Sequence, residues 1–126
     1  MGITFKAGKY WIGDPCYAVK DENWVSLLKR TNYLDDGEFE YNNQRCFASG
    51  TSYGDGEYQD NLGNSYGVDA GLIGIMPLEA CDGDYLDGGN IIDFNEDFEI
   101  DYDNGIFEFG NIIINTKDDN EEDEDY

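Results

Sequence analysis

The sequence predicts a mainly β domain of the α+β type: a small antiparallel sheet, curled into a barrel or paired as a sandwich, with one short helix in its N-terminal half. Three observations predict it. Glu96 to Ile114 reads as two antiparallel strands around Asp103-Asn104-Gly105, and Asn-Gly is the strongest short hairpin signal because a type I′ turn needs positive φ at both central residues. Glu38 and Glu40 alternate with Phe39 and Tyr41, the period-2 pattern of a half-buried strand. One convincing helix is visible, with Trp24, Leu27 and Leu28 at i, i+3 and i+4.

In chain order, Thr4 to Ile12 reads as a strand bent at Gly8 and ending at Gly13-Asp14-Pro15, where Pro15 fixes φ and pushes Asp14 toward extended backbone. Cys16 to Val19 reads as resumed extended structure. Asp21 is expected to N-cap the helix, and Lys29-Arg30 lie at its C-terminal end, where cations suit the dipole. A helix of about ten residues must dock its Trp/Leu face on a sheet to persist.

Glu38 to Tyr41 then turns at Asn42-Asn43 into a return strand from Gln44 to Ser49. The following segment to Pro77 is rich in glycine. It holds Tyr53-Gly54-Asp55-Gly56, a polar turn from Asp60 to Asn64, the run Tyr66 to Gly71, and the continuous apolar stretch Leu72 to Met76. That last stretch reads as a central strand buried on both faces and stopped by Pro77. Asp82-Gly83-Asp84 and Asp87-Gly88-Gly89 mark loops, and Ile91-Ile92 open a further strand. Residues 1–114 thus form one domain, while 115–126 (NTKDDNEEDEDY) carry no hydrophobic periodicity and read as a disordered acidic tail.

With Asn104 and Gly105 as a two-residue loop, Tyr102 pairs with Phe107 and Ile100 with Phe109. Asp97, Glu99, Asp101, Asp103 and Glu108 then share the opposite face. Asp101 faces Glu108 in this register, and like charges across a pair are destabilising, so the chain tolerates self-repulsion to keep an acidic face.

The charge balance points the same way. The formal net charge is −22, and residues 35–114 hold 19 acidic side chains against 1 basic one. Such a body repels nucleic acid and anionic membrane surfaces and attracts basic surfaces at long range. Three cysteines, Cys16, Cys46 and Cys81, fit neither a disulfide framework nor a thiolate zinc site. The absence of histidine removes Ser-His and Cys-His chemistry. Cys16 has no evident activating base nearby except Lys20. No apolar run approaches a membrane span and no signal-peptide core is present, so a reducing cytoplasm is the expected location.

The strings YWIGDPCY (residues 10–17), YGDGEYQDNLG (53–63), YGVDAGLIGI (66–75) and FEFGNIIINT (107–116) together resemble a family of small uncharacterised proteins of bacteriophages and prophages. The resemblance covers most of the body and not the tail. It implies a mobile-element source, and hence an accessory protein that disarms a host system from the host cytoplasm.

Two functions follow as expectations. In the first, the protein is a stoichiometric inhibitor of a host defence or other nucleic-acid-binding protein, acting by nucleic-acid mimicry and without a cofactor. Carboxylates on one strand face recur every roughly 6.6–6.8 Å, the scale of phosphates along a strand, so Asp97, Glu99, Asp101, Asp103 and Glu108 are the expected contact, extended by Glu38 and Glu40. In the second, Asp55, Asp60 and Asp69 of segment 53–71 converge on Mg²⁺ or Ca²⁺ for hydrolysis or nucleotide binding. Asp82, Asp84, Asp87 and Asp93 suggest a calcium loop, but Leu86 stands where a ligand and Asp87 where a glycine is required. The terminal Tyr126 after an acidic run resembles a partner-recruiting tail, whereas the body lacks the basic groove of single-stranded-DNA binders.

Overall fold

The computed structural model describes residues 3–30, 37–52, 54, 56–69, 71–103 and 105–116. Two antiparallel sheets face each other. The four-stranded sheet has the order β1-β9-β10-β11, built from β1 (Ile3–Phe5), β9 (Phe98–Asp103), β10 (Ile106–Phe109) and β11 (Ile112–Asn115). The five-stranded sheet has the order β3-β4-β7-β2-β8, built from β3 (Glu38–Tyr41), β4 (Gln44–Gly50), β7 (Leu72–Pro77), β2 (Gly8–Gly13) and β8 (Asn90–Phe94). A hairpin of β5 (Gly56–Gln59) and β6 (Ser65–Val68) stands beside them. Of the two architectures the sequence allows, this is the sandwich.

Strand periodicity decides where the core sits. Tyr10, Ile12, Phe47, Ile73 and Ile75 of the five-stranded sheet meet Phe98, Ile100, Phe107, Phe109, Ile112 and Ile114 of the other in one buried cluster, joined by Tyr66 and Val68. The alternate residues Trp11, Cys46, Ala48 and Met76 form a second cluster with Ala18, Val19 and Leu27. Ala18 belongs to α1 (Pro15–Ala18) and Leu27 to α2 (Asp21–Arg30), and Val19 caps the C-terminus of α1, so that the three form a helical layer. Burial on both faces explains why Leu72 to Met76 lacks alternation: β7 lies in mid-sheet between β4 and β2.

The acidic hairpin has the expected register, with Tyr102 opposite Phe107, Ile100 opposite Phe109 and Asp101 opposite Glu108. Gly105 takes φ +91°, a conformation for which glycine is suited, while Asn104 lies outside the described residues. The β3–β4 turn places both Asn42 (φ 52°) and Asn43 (φ 64°) in the left-handed region of a type I′ hairpin.

Three local expectations are corrected. Residues 16–18 are helical rather than extended: Asp14 accepts from the Cys16 N–H at 3.1 Å and Pro15 occupies the first helical position, which suits proline because that N–H has no helical partner. Asp21 lies in the first turn of α2 rather than capping it, since the Asn23 and Trp24 N–H groups donate to the Lys20 carbonyl. The bend at Gly8 is a change of sheet, because β1 pairs with β9 while β2 pairs with β7 and β8. In addition, Asn115 ends β11 and Thr116 is buried, its hydroxyl donating to the Gly105 carbonyl and accepting from the Ser52 N–H. Asn115 and Thr116 are thus held against the sheet; 117–126, with Tyr126, lie outside the described residues.

Candidate functional site

Alternation along β9 and β10 sends Ile100, Phe107 and Phe109 into the core and Glu99, Asp101, Asp103 and Glu108 to the other side. Glu99, Asp103 and Glu108 are exposed and Asp101 half-buried. Cross-strand rungs set the pattern: Asp101 with Glu108 and then Ile113, and Asp103 with Ile106 and then Asn115. Four of the expected carboxylates therefore share one outer sheet face, along with the part-exposed Ile113.

Asp97 stands just before β9 and has local work. One carboxylate oxygen accepts from the Ala7 N–H at 2.9 Å and the other lies 3.8 Å from Lys6 Nζ, which fixes the β1–β2 connection against the hairpin. Glu38 and Glu40 lie apart, on the edge strand of the five-stranded sheet. There Arg45 intervenes: its Nε donates to Glu38 Oε2 at 2.6 Å, its Nη1 donates to the Thr4 carbonyl at 2.7 Å, and its guanidinium sits 4.5 Å from the centre of the Phe5 ring. Arg45 thus ties β4 to β1 across the open side of the sandwich, and the acidic field at Glu38 meets a cation.

Of the glycine-segment carboxylates, Asp60 and Asp69 are described and flank β6. Asp60 precedes β6 and is buried. One of its oxygens accepts from the Leu62 and Asn64 N–H groups at 2.8 and 2.9 Å; the other accepts from Asn64 Nδ2 at 3.0 Å and from the Tyr66 hydroxyl at 2.6 Å. Burial raises its pKa, but these donors outweigh that and hold it below the ordinary carboxylate value. Burial and the Asp60 carboxylate push the Tyr66 hydroxyl upward. Asp69 follows β6 at its other end, and Asp55 lies outside the described residues.

Asp82, from the supposed calcium loop, accepts from the Lys20 N–H at 3.1 Å and the Tyr41 hydroxyl at 2.7 Å. Burial pushes its pKa up, and the Tyr41 and Lys20 donors bring it below the ordinary value. It pins the start of α2 to the β3–β4 hairpin. Among the described residues no group of three or more His, Cys, Asp or Glu side chains is placed to hold a metal ion.

A groove of about 440 Å³, not legible in the sequence, is lined by Cys16, Tyr17, Asp21, Trp24, Asp69 and Tyr85. Cys16 and Tyr17, from the end of the GDPCY turn, are part of its lining. Asp14 is fully buried, with one oxygen accepting from the Cys16 N–H and the other from the Asp69 N–H at 2.9 Å. The Tyr17 ring lies against Gly88, where an added Cβ would stand 2.6 Å from a ring carbon. Burial raises the Tyr17 hydroxyl's pKa, with Asp69 the next cause. No basic residue lines the groove. Burial pushes the Cys46 and Cys81 thiols up to about 12.

The fold and this pair of surfaces define a β-sandwich with a helical layer on one sheet and an acidic face on the other. No family model, curated protein or solved structure matches the chain. Among the described residues no helix is long and apolar enough to cross a membrane.

Proposed function

We propose that the protein binds a basic nucleic-acid-binding protein of a bacterial host stoichiometrically, occupying its nucleic-acid site as an anionic decoy and so inhibiting it from within the host cytoplasm. The carrying observation is the outer face of the four-stranded sheet, where Glu99, Asp101 and Asp103 follow one another along β9 and Glu108 stands beside them. Strand geometry spaces the three by roughly 6.6–6.8 Å, and a channel lined with Lys and Arg accepts such a row by the Coulombic attraction it uses for phosphates. The resemblance to phage and prophage proteins supports the host setting. The charge of the body supports the mode, since 19 acidic residues against 1 basic in residues 35–114 exceed what protecting a sheet edge requires.

The test is capture from nuclease-treated bacterial lysate on immobilised full-length protein, with washes at rising salt and mass spectrometry of the eluate. A retained nucleic-acid-binding protein that elutes with salt, is competed off by DNA or RNA, and is not retained by the triple variant Glu99→Gln, Asp103→Asn, Glu108→Gln supports the reading. Equal retention by that variant overturns it.

A further inference from the structure

The geometry points to a second binding site, independent of the acidic sheet face: the groove beside the helices takes a small aliphatic diamine or polyamine. Its lining offers three aromatic rings from three segments, Tyr17 of α1, Trp24 of α2 and Tyr85 of the loop before Leu86, and two carboxylates from two more positions, Asp21 and Asp69. Tyr85 is 55% exposed, a large ring presented to solvent at the rim. The walls are held before any ligand arrives. Asp14 ties the Asp69 backbone to the start of α1, the Tyr85 N–H donates to the Tyr17 carbonyl at 3.3 Å, and Gly88 gives the Tyr17 ring its place.

Charge and surface together select the ligand class. An anion meets two carboxylates and no cation. A neutral apolar molecule would take Asp21 and Asp69 out of water with nothing in exchange. A hard divalent ion asks for several converging oxygens, and no such group assembles among the described residues. An alkyl chain carrying ammonium groups satisfies both halves of the lining: the charges face Asp21 and Asp69, and the methylenes and ammonium groups lie on ring faces that attract cations. A volume of about 440 Å³ is within the usual range for small-molecule sites.

The test is a titration of the ¹⁵N-labelled full chain with putrescine in about 150 mM NaCl, where diffuse attraction to a strongly anionic protein is screened. The expected result is saturable shifts of the Trp24 indole N–H and of the Cys16 and Tyr85 amides. The monocation 1-aminobutane should bind about tenfold more weakly, and 1,4-butanediol should leave the spectrum unchanged. Asp69→Asn and Asp21→Asn should each weaken putrescine about tenfold, whereas Glu108→Gln should not. Tyr85→Ala, at an exposed rim position, should also weaken it and decides the matter if an Asp variant loses its folded spectrum. Non-saturating shifts spread over Glu99, Asp101 and Glu108 overturn the proposal, as does full affinity in Asp69→Asn or Tyr85→Ala. Binding of 1-aminobutane or Nα-acetyl-lysine methylamide as tightly as putrescine overturns it too.

Discussion

The Asp69 N–H donates to the fully buried Asp14 carboxylate at 2.9 Å, joining the loop after β6 to the turn that starts α1. The other Asp14 oxygen accepts from Cys16, so one side chain satisfies two backbone donors 53 residues apart in sequence. Asp14→Asn turns one acceptor into an NH₂ facing an N–H. Leaving a buried donor unmet costs roughly 1–3 kcal/mol, and urea denaturation should show that loss for Asp14→Asn and at least as much for Asp14→Ala. Wild-type stability in both variants would remove Asp14 from this structural role.

Acid should act through Asp60 and Asp82. Both carboxyls are held below their ordinary value in the folded state by hydroxyl and N–H donors that outweigh burial. A depressed folded pKa contributes stability that is present above the unfolded value, about 3.9, and is lost as pH falls through the folded one. Melting temperature should therefore drop as pH falls below about 4, and Asp60→Asn or Asp82→Asn should flatten that limb while lowering stability at pH 7. An unchanged acid limb in both variants would show that other carboxyls control it.

Tyr66→Phe isolates one donor to Asp60. The lost hydroxyl is buried and 2.6 Å from Oδ2, so the substitution should cost about 1–3 kcal/mol, in line with hydrogen bonds to charged groups. It should also raise the Asp60 pKa, read by ¹³C carboxyl titration. A stability change without a pKa change would mean that packing, not the hydrogen bond, was lost.

Arg45 should prove worth more than an exposed ion pair. It joins Glu38, the Thr4 carbonyl and the Phe5 ring, closing β4 against β1. Arg45→Ala should cost about 1–2 kcal/mol, and Arg45→Lys should recover little, because an ammonium cannot reproduce the planar fork. Full rescue by lysine would reduce the contact to simple charge pairing.

How far the sequence reveals this molecule depends on whether the signal is local. The hairpin register was legible because Asn104-Gly105 and the alternation from Ile100 to Phe109 are contiguous, and the same holds for Glu38 to Tyr41 with Asn42-Asn43. The acidic face followed from that register. The helical turn after Asp14 is not legible although Asp-Pro is a helix-start pattern, because the same Gly-Asp-Pro string both ends a strand and opens a helix. Nothing local tells that β1 and β2 separate into different sheets. Nor does spacing show that Asp60 is consumed by its own turn, or that Tyr17, Trp24, Asp69 and Tyr85 line one groove; tertiary packing alone brings them together.

The acidic face itself makes the last prediction. Asp101 and Glu108 are cross-strand partners on the outer side of the four-stranded sheet, and like charges so placed disfavour the pair by roughly 0.2–1 kcal/mol. Glu108→Gln should accordingly raise stability at neutral pH and low ionic strength. Because Glu108 is exposed, the gain should shrink as added salt screens the repulsion. If the face is kept for binding, the same substitution should weaken capture of the basic partner while stabilising the fold, the opposite signs expected of a site that trades stability for function. Thermal melts of wild type and Glu108→Gln at low and high salt, set beside the capture assay, separate the cases. A variant that is stabilised and still binds fully would leave the repulsion real and remove Glu108 from the interface. A variant that is destabilised would show that its carboxylate supports the sheet.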